Sequence, residues 1–201
     1  MIMEAIENQI LEKVKNHGRG KIFFPDDFAD MGSSEAVRQA LSRLTNEENL
    51  IRLGHGIYQY PNKDPQLGLL QPTLDQVAKA IAKRDKAKII PAGALALNKL
   101  GLSTQVPTNA VYLTDGSPRS IRLGNRKIKF KRTVPKNLMA KGEISSLVIQ
   151  ALKEIGNENV MEQHLKKIHE LLKNEKPEHL KHDVKLAPVW IRKILEESLE
   201  R

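Results

Sequence analysis

A run of side chains suited to reading nucleic-acid bases begins at Ser34. Val37, Leu41 and Leu44 are spaced at i, i+4 and i+7, which predicts an amphipathic helix with one buried stripe. The residues that would face outward from this helix include Ser34, Arg38, Gln39, Ser42 and Arg43. Arginine recognises guanine edges, glutamine recognises adenine edges, and serine contacts a base or a phosphate. The pattern indicates DNA contact, with a solvated surface helix as the alternative interpretation.

A predicted β-hairpin adds two further candidates, Arg52 and His55. Two β-rich runs at residues 50–53 and 57–60 flank Gly54-His55-Gly56, which is typical of a hairpin with a glycine-containing turn. Side chains on such a hairpin can touch the DNA backbone or the minor groove. We therefore expect Arg52 and His55 to support the contacts made by the helix.

The order of the preceding elements explains how these side chains would be positioned. An apolar stripe predicts a first helix over residues 2–16, followed by an extended segment at 21–24 and a short helix after Pro25. The helix capped by Ser33 or Ser34 runs to about Thr45, and the hairpin follows it. Helix, strand, helix, helix and hairpin is the order of a winged helix-turn-helix domain.

The positive charge of the chain is concentrated in its middle third. The 201 residues carry a net charge of +9, but residues 1–62 carry −2, residues 63–137 carry +11 and residues 138–201 carry 0. A dense cluster of positive charge creates a potential that attracts phosphate groups or an acidic partner. The middle segment is therefore a second candidate for a functional surface.

Three lysines in this segment are predicted to share one face of a strand. Lys127, Lys129 and Lys131 alternate with Ile128 and Phe130, and side chains alternate between the two faces of a strand. Two arginines lie nearby on the preceding predicted strand, so that the predicted anion-binding surface consists of Arg119, Arg122, Lys127, Lys129 and Lys131. The alternative is a charged face that only keeps the protein in solution.

Charge and turn-forming residues together predict three domains. Pro65, Gly68 and Pro72 mark a boundary after the hairpin. The predicted α+β chain comprises a winged helix-turn-helix domain at 1–62, a basic mixed α/β domain with a small sheet at 63–137, and a helical region at 138–201.

Signs of catalysis or metal binding are weak. The chain has no cysteine, which excludes disulfides and thiolate metal sites. His179 and His182 are three residues apart beside Asp183, but a polar linker explains them better than a metal site. The segment Gly18-Arg19-Gly20-Lys21 lacks the spacing of a phosphate-binding loop. We therefore expect no enzymatic activity, no cofactor and no metal.

The sequence also predicts a cytoplasmic protein without a membrane segment. The longest nearly apolar run, Ile89–Leu97, contains Pro91 and Gly93. It is much shorter than a membrane-spanning helix, which needs about 20 residues. Glu4 and Glu7 occupy the N-terminal region where a secretory signal would carry basic residues.

Similarity to a known family extends over roughly residues 5–135. It is carried by the segments Gly32–Leu44, Ile51–Tyr58, Pro91–Pro107, Tyr112–Gly116 and Ile128–Arg132. The first two resemble the winged-helix head of AbiEi-type antitoxins of type IV toxin–antitoxin systems. The others are similar to the second domain of that family, whereas residues 138–201 match neither part.

The resemblance implies a DNA-binding antitoxin that is also a transcriptional autorepressor. Its winged helix would bind promoter repeats in double-stranded DNA, where a homodimer could form. Its second domain would neutralise a nucleotidyltransferase-like toxin without requiring a stable complex. A protein–protein adaptor whose winged helix does not bind DNA is the alternative, and the −2 charge of residues 1–62 favours it.

Overall fold

A computed structural model describes residues 2–200 and shows a mixed α+β protein. The described residues form eight α-helices and nine β-strands, with the strands in three small sheets. The chain divides into two compact units, one comprising residues up to 80 with 122–124, the other comprising 81–121 with the residues from 125 onward. Within the described chain, none of the helices combines the length and apolar character needed to cross a bilayer.

The first unit contains two long helices and a three-stranded antiparallel sheet. Its first elements are α1 (Ile2–His17), β1 (Ile22–Phe23), a 3₁₀ turn (Pro25–Phe28), α2 (Ser34–Asn46), β2 (Ile51–Gly54) and β3 (Ile57–Gln59). Strand β3 is central and pairs with β1 on one side and β2 on the other. The hairpin formed by β2 and β3 is thereby held against the segment that connects α1 to α2.

The core of this unit confirms the predicted stripe on α2. Val37, Leu41 and Leu44 are buried and belong to one cluster with Ile10 of α1 and Phe28 of the 3₁₀ turn. Each fully buried aliphatic side chain contributes about 1.5–3 kcal/mol relative to its exposed state. Packing of this stripe therefore fixes which side of α2 faces solvent.

The segment predicted as a domain boundary has structure of its own. It forms a two-stranded hairpin from β4 (Lys63–Asp64) and β5 (Gly68–Leu69), and it is followed by α3 (Leu74–Arg84). The division between the two units falls between residues 80 and 81, within α3, and not at residue 62.

The second unit combines a four-stranded sheet with helices. Its remaining elements are β6 (Ile89–Ala92), α4 (Ala94–Lys99), β7 (Asn109–Thr114), β8 (Arg119–Leu123), β9 (Arg126–Arg132), 3₁₀ turns at Pro135–Leu138 and Asn157–Asn159, α5 (Glu143–Ile155), α6 (Glu162–Leu172), α7 (Pro177–Val184) and α8 (Val189–Glu197). The strand order is β6-β7-β9-β8. Strand β7 pairs antiparallel with β6 and parallel with β9.

One hydrophobic cluster joins the middle segment of the chain to its C-terminal helices. Ala96 and Leu100 from the α4 region pack in the same cluster as Leu152 of α5, Ile168 of α6 and Ile191 of α8. Residues on the two sides of the predicted boundary at 137 therefore share one core.

Helix α7 corrects the prediction that His179 and His182 lie in a polar linker. Pro177 occupies the first turn, where its missing N–H costs nothing. Leu180 and Val184, four residues apart, are buried on one side of this helix. The other residues of α7 are mostly polar, and they obscured the short apolar stripe.

Candidate functional site

The start of α2 is fixed by a side-chain cap. The hydroxyl oxygen of Ser33 accepts a hydrogen bond of 3.2 Å from the backbone N–H of Ala36. Of the two serines considered as caps, Ser33 has this role, while Ser34 is the first residue of the helix and is exposed. Because the cap uses Ser33, the hydroxyl of Ser34 is left for an external partner.

The two arginines of α2 differ in whether their guanidinium groups are already bound to another residue of the chain. Arg43 Nη1 lies 3.0 Å from Glu7 Oε1, so that this ion pair links α2 to α1. Arg38 is exposed and has no hydrogen-bond or ion-pair partner within residues 2–200. Of the two guanidinium groups predicted to contact DNA, that of Arg38 is therefore unengaged, whereas that of Arg43 is partly engaged with Glu7.

The remaining candidates on α2 are also exposed. The amide nitrogen of Gln39 lies 3.5 Å from a carboxylate oxygen of Glu35, one helical turn earlier. Ser42 is exposed one turn after Arg38. Ser34, Arg38, Gln39 and Ser42 therefore provide a continuous exposed polar face along α2.

The hairpin brings Arg52 and His55 together. Arg52 Nη2 lies 3.5 Å from His55 Nδ1, and both residues are exposed. Gly56 has a φ of +65°, a conformation that glycine adopts without strain, and it closes the turn beside His55. The turn therefore presents two cationic or hydrogen-bonding side chains at one end of the hairpin.

The glycine-flanked segment after α1 is a connector and not a phosphate-binding loop. Arg19 Nη1 donates to the carbonyl oxygen of Pro61 at 3.2 Å, and its guanidinium lies 5.3 Å from the centre of the Tyr60 ring. The N–H of Gly20 donates to the carbonyl oxygen of Tyr60 at 2.9 Å. These contacts use the polar groups of the segment to hold it against the hairpin.

The predicted lysine face is confirmed on β9. Ile128 and Phe130 are buried, whereas Lys127, Lys129 and Lys131 are exposed. In the parallel pairing with β7, Lys129 lies beside the half-buried Val111. The three lysines, called the lysine face below, form no ion pair with any residue of the described chain.

Arg119 lies on the other side of the sheet from the lysine face. Its guanidinium is 5.7 Å from the centre of the Phe130 ring, and it forms an ion pair with Asp85. Asp85 also pairs with Arg84, whose Nε lies 2.9 Å from Oδ1. Burial would raise the pKa of Asp85, but hydrogen bonds and charges from Arg84 and Arg119 outweigh it and lower that pKa.

The predicted group of five basic residues is thus divided by the sheet. Arg119 has an internal structural role, which corrects its assignment to the anion-binding surface. Arg122, three residues further along β8, points to the opposite side of that strand from Arg119 and is exposed. The alternation of side chains correctly predicted that the three lysines share one exposed face of β9. It could not show which residues of β8 lie on the same face of the sheet as these lysines.

The candidate surfaces lie within a region matched by one protein family. The profile of DUF6088, a family of unknown function, matches residues 9–180. The chain belongs to the DUF6088 family. No curated protein matches the chain. Among solved structures, the RV2827C protein from Mycobacterium tuberculosis is similar, with 14% sequence identity, a TM-score of 0.47 and coverage of 96% of this chain and 81% of that chain.

A buried carboxylate, whose role no sequence pattern indicated, lies in the helical part of this DUF6088 protein. Asp183 is completely buried and accepts hydrogen bonds of 2.8 Å from the backbone N–H groups of Lys141 and Gly142. The hydroxyl of Ser145 donates to it at 2.6 Å, and His182 Nδ1 lies 2.7 Å from its other oxygen. Asp183 thus caps the start of α5.

Glu175 completes this cap from the segment before α7. One of its carboxylate oxygens accepts hydrogen bonds from the backbone N–H groups of Ile144 at 2.9 Å and Ser145 at 3.2 Å. A Cβ atom on Gly142 would collide with the side chains of Glu175 and Ser145, so that a larger residue there would force these capping groups to move. Negative charge at a helix N-terminus is favourable because the N–H groups there have no partner within the helix.

The two histidines considered as metal ligands face this capping cluster. His182 contacts Asp183, while His179 Nδ1 lies 3.7 Å from Glu175. Across residues 2–200, no three His, Asp or Glu side chains form a group that could hold a metal ion. Both carboxylates cap α5, and the two histidines lie beside these carboxylates.

Proposed function

We propose that this protein binds double-stranded DNA through α2 and the β2–β3 hairpin and acts as an antitoxin and transcriptional autorepressor. The observation that carries the proposal is the exposed polar face of α2, whose apolar stripe is buried against α1. In a winged helix-turn-helix domain, the helix before the hairpin enters the major groove and the hairpin contacts the backbone. The order and pairing of the elements in the first unit support this assignment.

The toxin-related part of the proposal rests on the lysine face and on the resemblance to AbiEi-type antitoxins. Lys127, Lys129 and Lys131 carry positive charge that no acidic side chain of the described chain offsets. Such a surface attracts an acidic partner or a phosphate-containing ligand. We assign to it the neutralisation of a nucleotidyltransferase-like toxin, separately from promoter binding.

Arg38→Ala should weaken binding to a duplex from the chain's own promoter by about 5- to 150-fold, because a bidentate arginine–guanine contact contributes about 1–3 kcal/mol. Fluorescence anisotropy with the labelled duplex measures the change. Arg43→Ala is the matched control, since its guanidinium is paired with Glu7. We expect the control to retain affinity much closer to that of the wild type.

Unchanged affinity of the Arg38→Ala protein would contradict the assignment of α2 as the recognition helix. Equal losses in both variants would mean that total charge and not a specific contact determines binding. Thermal unfolding of both variants shows whether either substitution disturbs the fold.

A protein–protein adaptor is the second candidate, and the ion pair between Arg43 and Glu7 favours it. This pair neutralises one cation of α2, in a segment that already carries a net charge of −2. The salt dependence of duplex binding separates the candidates. A DNA-binding protein loses affinity steeply as salt increases because phosphate contacts release counterions, whereas an adaptor would show no promoter binding even at low salt.

A further inference from the structure

A small polar depression lies between α5 and the 3₁₀ turn at Pro135–Leu138. Ser146, Ile149 and Gln150 of α5 line one side, at positions i, i+3 and i+4 of one helix face. The rest of the lining consists of Lys136, Asn137, Ala140 and Leu186. All of these residues belong to the second unit.

Two of the lining side chains are buried and polar, and they lack protein partners. Ser146 is 9% exposed and Gln150 is 6% exposed. Neither the hydroxyl nor the side-chain amide forms a hydrogen bond with another residue of the described chain. Neither belongs to the side-chain polar atoms that are both buried from solvent and without a partner, so that their polar atoms are accessible from outside the chain. The depression therefore offers unused donors to an external group.

Positive charge adjoins these donors without an acidic counterpart. Lys153 lies one turn after Gln150 on the same face of α5, and its Nζ donates to Asn137 Oδ1 at 3.1 Å. Burial and the nearby charge of Lys136 lower the pKa of Lys153. No acidic side chain lines the depression, and neither lysine has an ion-pair partner in residues 2–200. A bound anion would relieve the repulsion between the two lysines.

We propose that this depression binds a phosphate group. The amide of Gln150 and the hydroxyl of Ser146 donate hydrogen bonds to its oxygens, and Lys136 and Lys153 provide the compensating charge. The depression is open to solvent, and its volume of about 10 Å³ admits one water-sized group and no nucleobase or peptide side chain. One oxygen of a tetrahedral oxyanion would enter the depression, and the others would remain at its open side beside Lys136. This site goes beyond the proposed DNA contacts of α2, since it uses none of their residues.

Nuclear magnetic resonance of the labelled full chain tests the proposal with inorganic phosphate as the probe. Phosphate is titrated at constant ionic strength against chloride. We expect a saturable shift of the Gln150 side-chain amide signal and a rise in the pKa of Lys153, followed through its ε-carbon. Gln150→Leu and Lys153→Gln should each weaken phosphate binding by about tenfold, as expected for loss of a hydrogen bond to a charged group.

Lys167→Gln is the matched control, because Lys167 is an exposed lysine of α6 outside the depression. It should bind phosphate as the wild type does. Parallel titrations with adenosine monophosphate and adenosine identify the source of the phosphate. Tighter binding of the nucleotide than of inorganic phosphate assigns the site to a phosphate monoester, and equal binding assigns it to the free ion. Absence of a saturable shift, or a shift that persists in both site variants, would overturn the proposal.

Discussion

Replacing Asp183 with alanine should lower the free energy of unfolding by about 3–5 kcal/mol, because several hydrogen-bond donors lose their acceptor. The substitution would leave the N–H groups of Lys141 and Gly142 and the hydroxyl of Ser145 without their acceptor, the last two in a buried location. Each unsatisfied buried group costs about 1–3 kcal/mol. Chemical denaturation followed by circular dichroism measures the loss.

Glu178→Ala is the matched control for this experiment. Glu178 is an exposed carboxylate in the first turn of the same helix, α7. Surface substitutions of this kind usually change stability by no more than about 0.5 kcal/mol. Similar losses in the two variants would contradict the capping role of Asp183 and point to a general sensitivity of α7.

The contribution of Asp183 should also depend on pH in the acid range. Burial alone would raise its pKa, but hydrogen bonds from His182, Ser145 and the backbone of Lys141 and Gly142 outweigh burial and lower it. The folded state therefore favours the ionised carboxylate. This stabilisation is complete above the ordinary pKa of 3.8 and is lost as the pH falls through the lower pKa of the folded protein.

Asp183→Asn separates the effect of charge from that of shape. The difference in unfolding free energy between wild type and this variant should be constant near neutral pH and shrink below pH 3.8. Denaturation curves across this range test the expectation. A difference that does not vary with pH would show that the charge of Asp183 makes no contribution.

According to the proposed function, reversing the charge of the lysine face should abolish protection against a nucleotidyltransferase-like toxin while leaving promoter binding intact. The change consists of Lys127→Glu, Lys129→Glu and Lys131→Glu. These side chains are exposed and unpaired within the described chain, so that the substitutions remove no internal contact. An acidic surface would repel a partner that the basic surface attracts. Growth of cells that carry the toxin, together with promoter binding by the purified variant, measures both activities.

The control reverses three exposed lysines elsewhere, Lys167, Lys173 and Lys193, and changes the net charge of the chain by the same amount. It should retain protection against the toxin. Survival of cells with the reversed lysine face would mean that this face only maintains solubility. Loss of protection in both variants would attribute the effect to net charge and not to the surface.

The features predicted correctly from sequence are those with a strong local period. The spacing of Val37, Leu41 and Leu44 determined the buried side of α2, because one helical face must pack against the core. The alternation of lysines with Ile128 and Phe130 likewise determined the exposed side of β9. In both cases, the physical signal lies entirely within one element.

The features that were missed depend on contacts between residues distant in sequence. Arg43 is paired with Glu7, which is 36 residues earlier, and Arg119 with Asp85, which is 34 residues earlier. No local pattern indicates such pairs, since each arginine is also acceptable on a solvated surface. The role of Asp183 was not predicted for the same reason. Helix α7 itself could have been predicted, because Pro177 followed by Leu180 and Val184 is typical of a short helix with one apolar side.

The cap on α5 affects the order in which the protein folds during translation. The carboxylates that complete the first turn of this helix lie between 30 and 42 residues after the backbone groups that they bind. Because a ribosome delivers the chain from its N-terminus, α5 emerges well before Glu175 and Asp183. A nascent chain halted ahead of Asp183 would therefore leave this turn unfinished and expose the apolar side of α5 to chaperones and proteases, so that folding of the second unit is completed only late in translation.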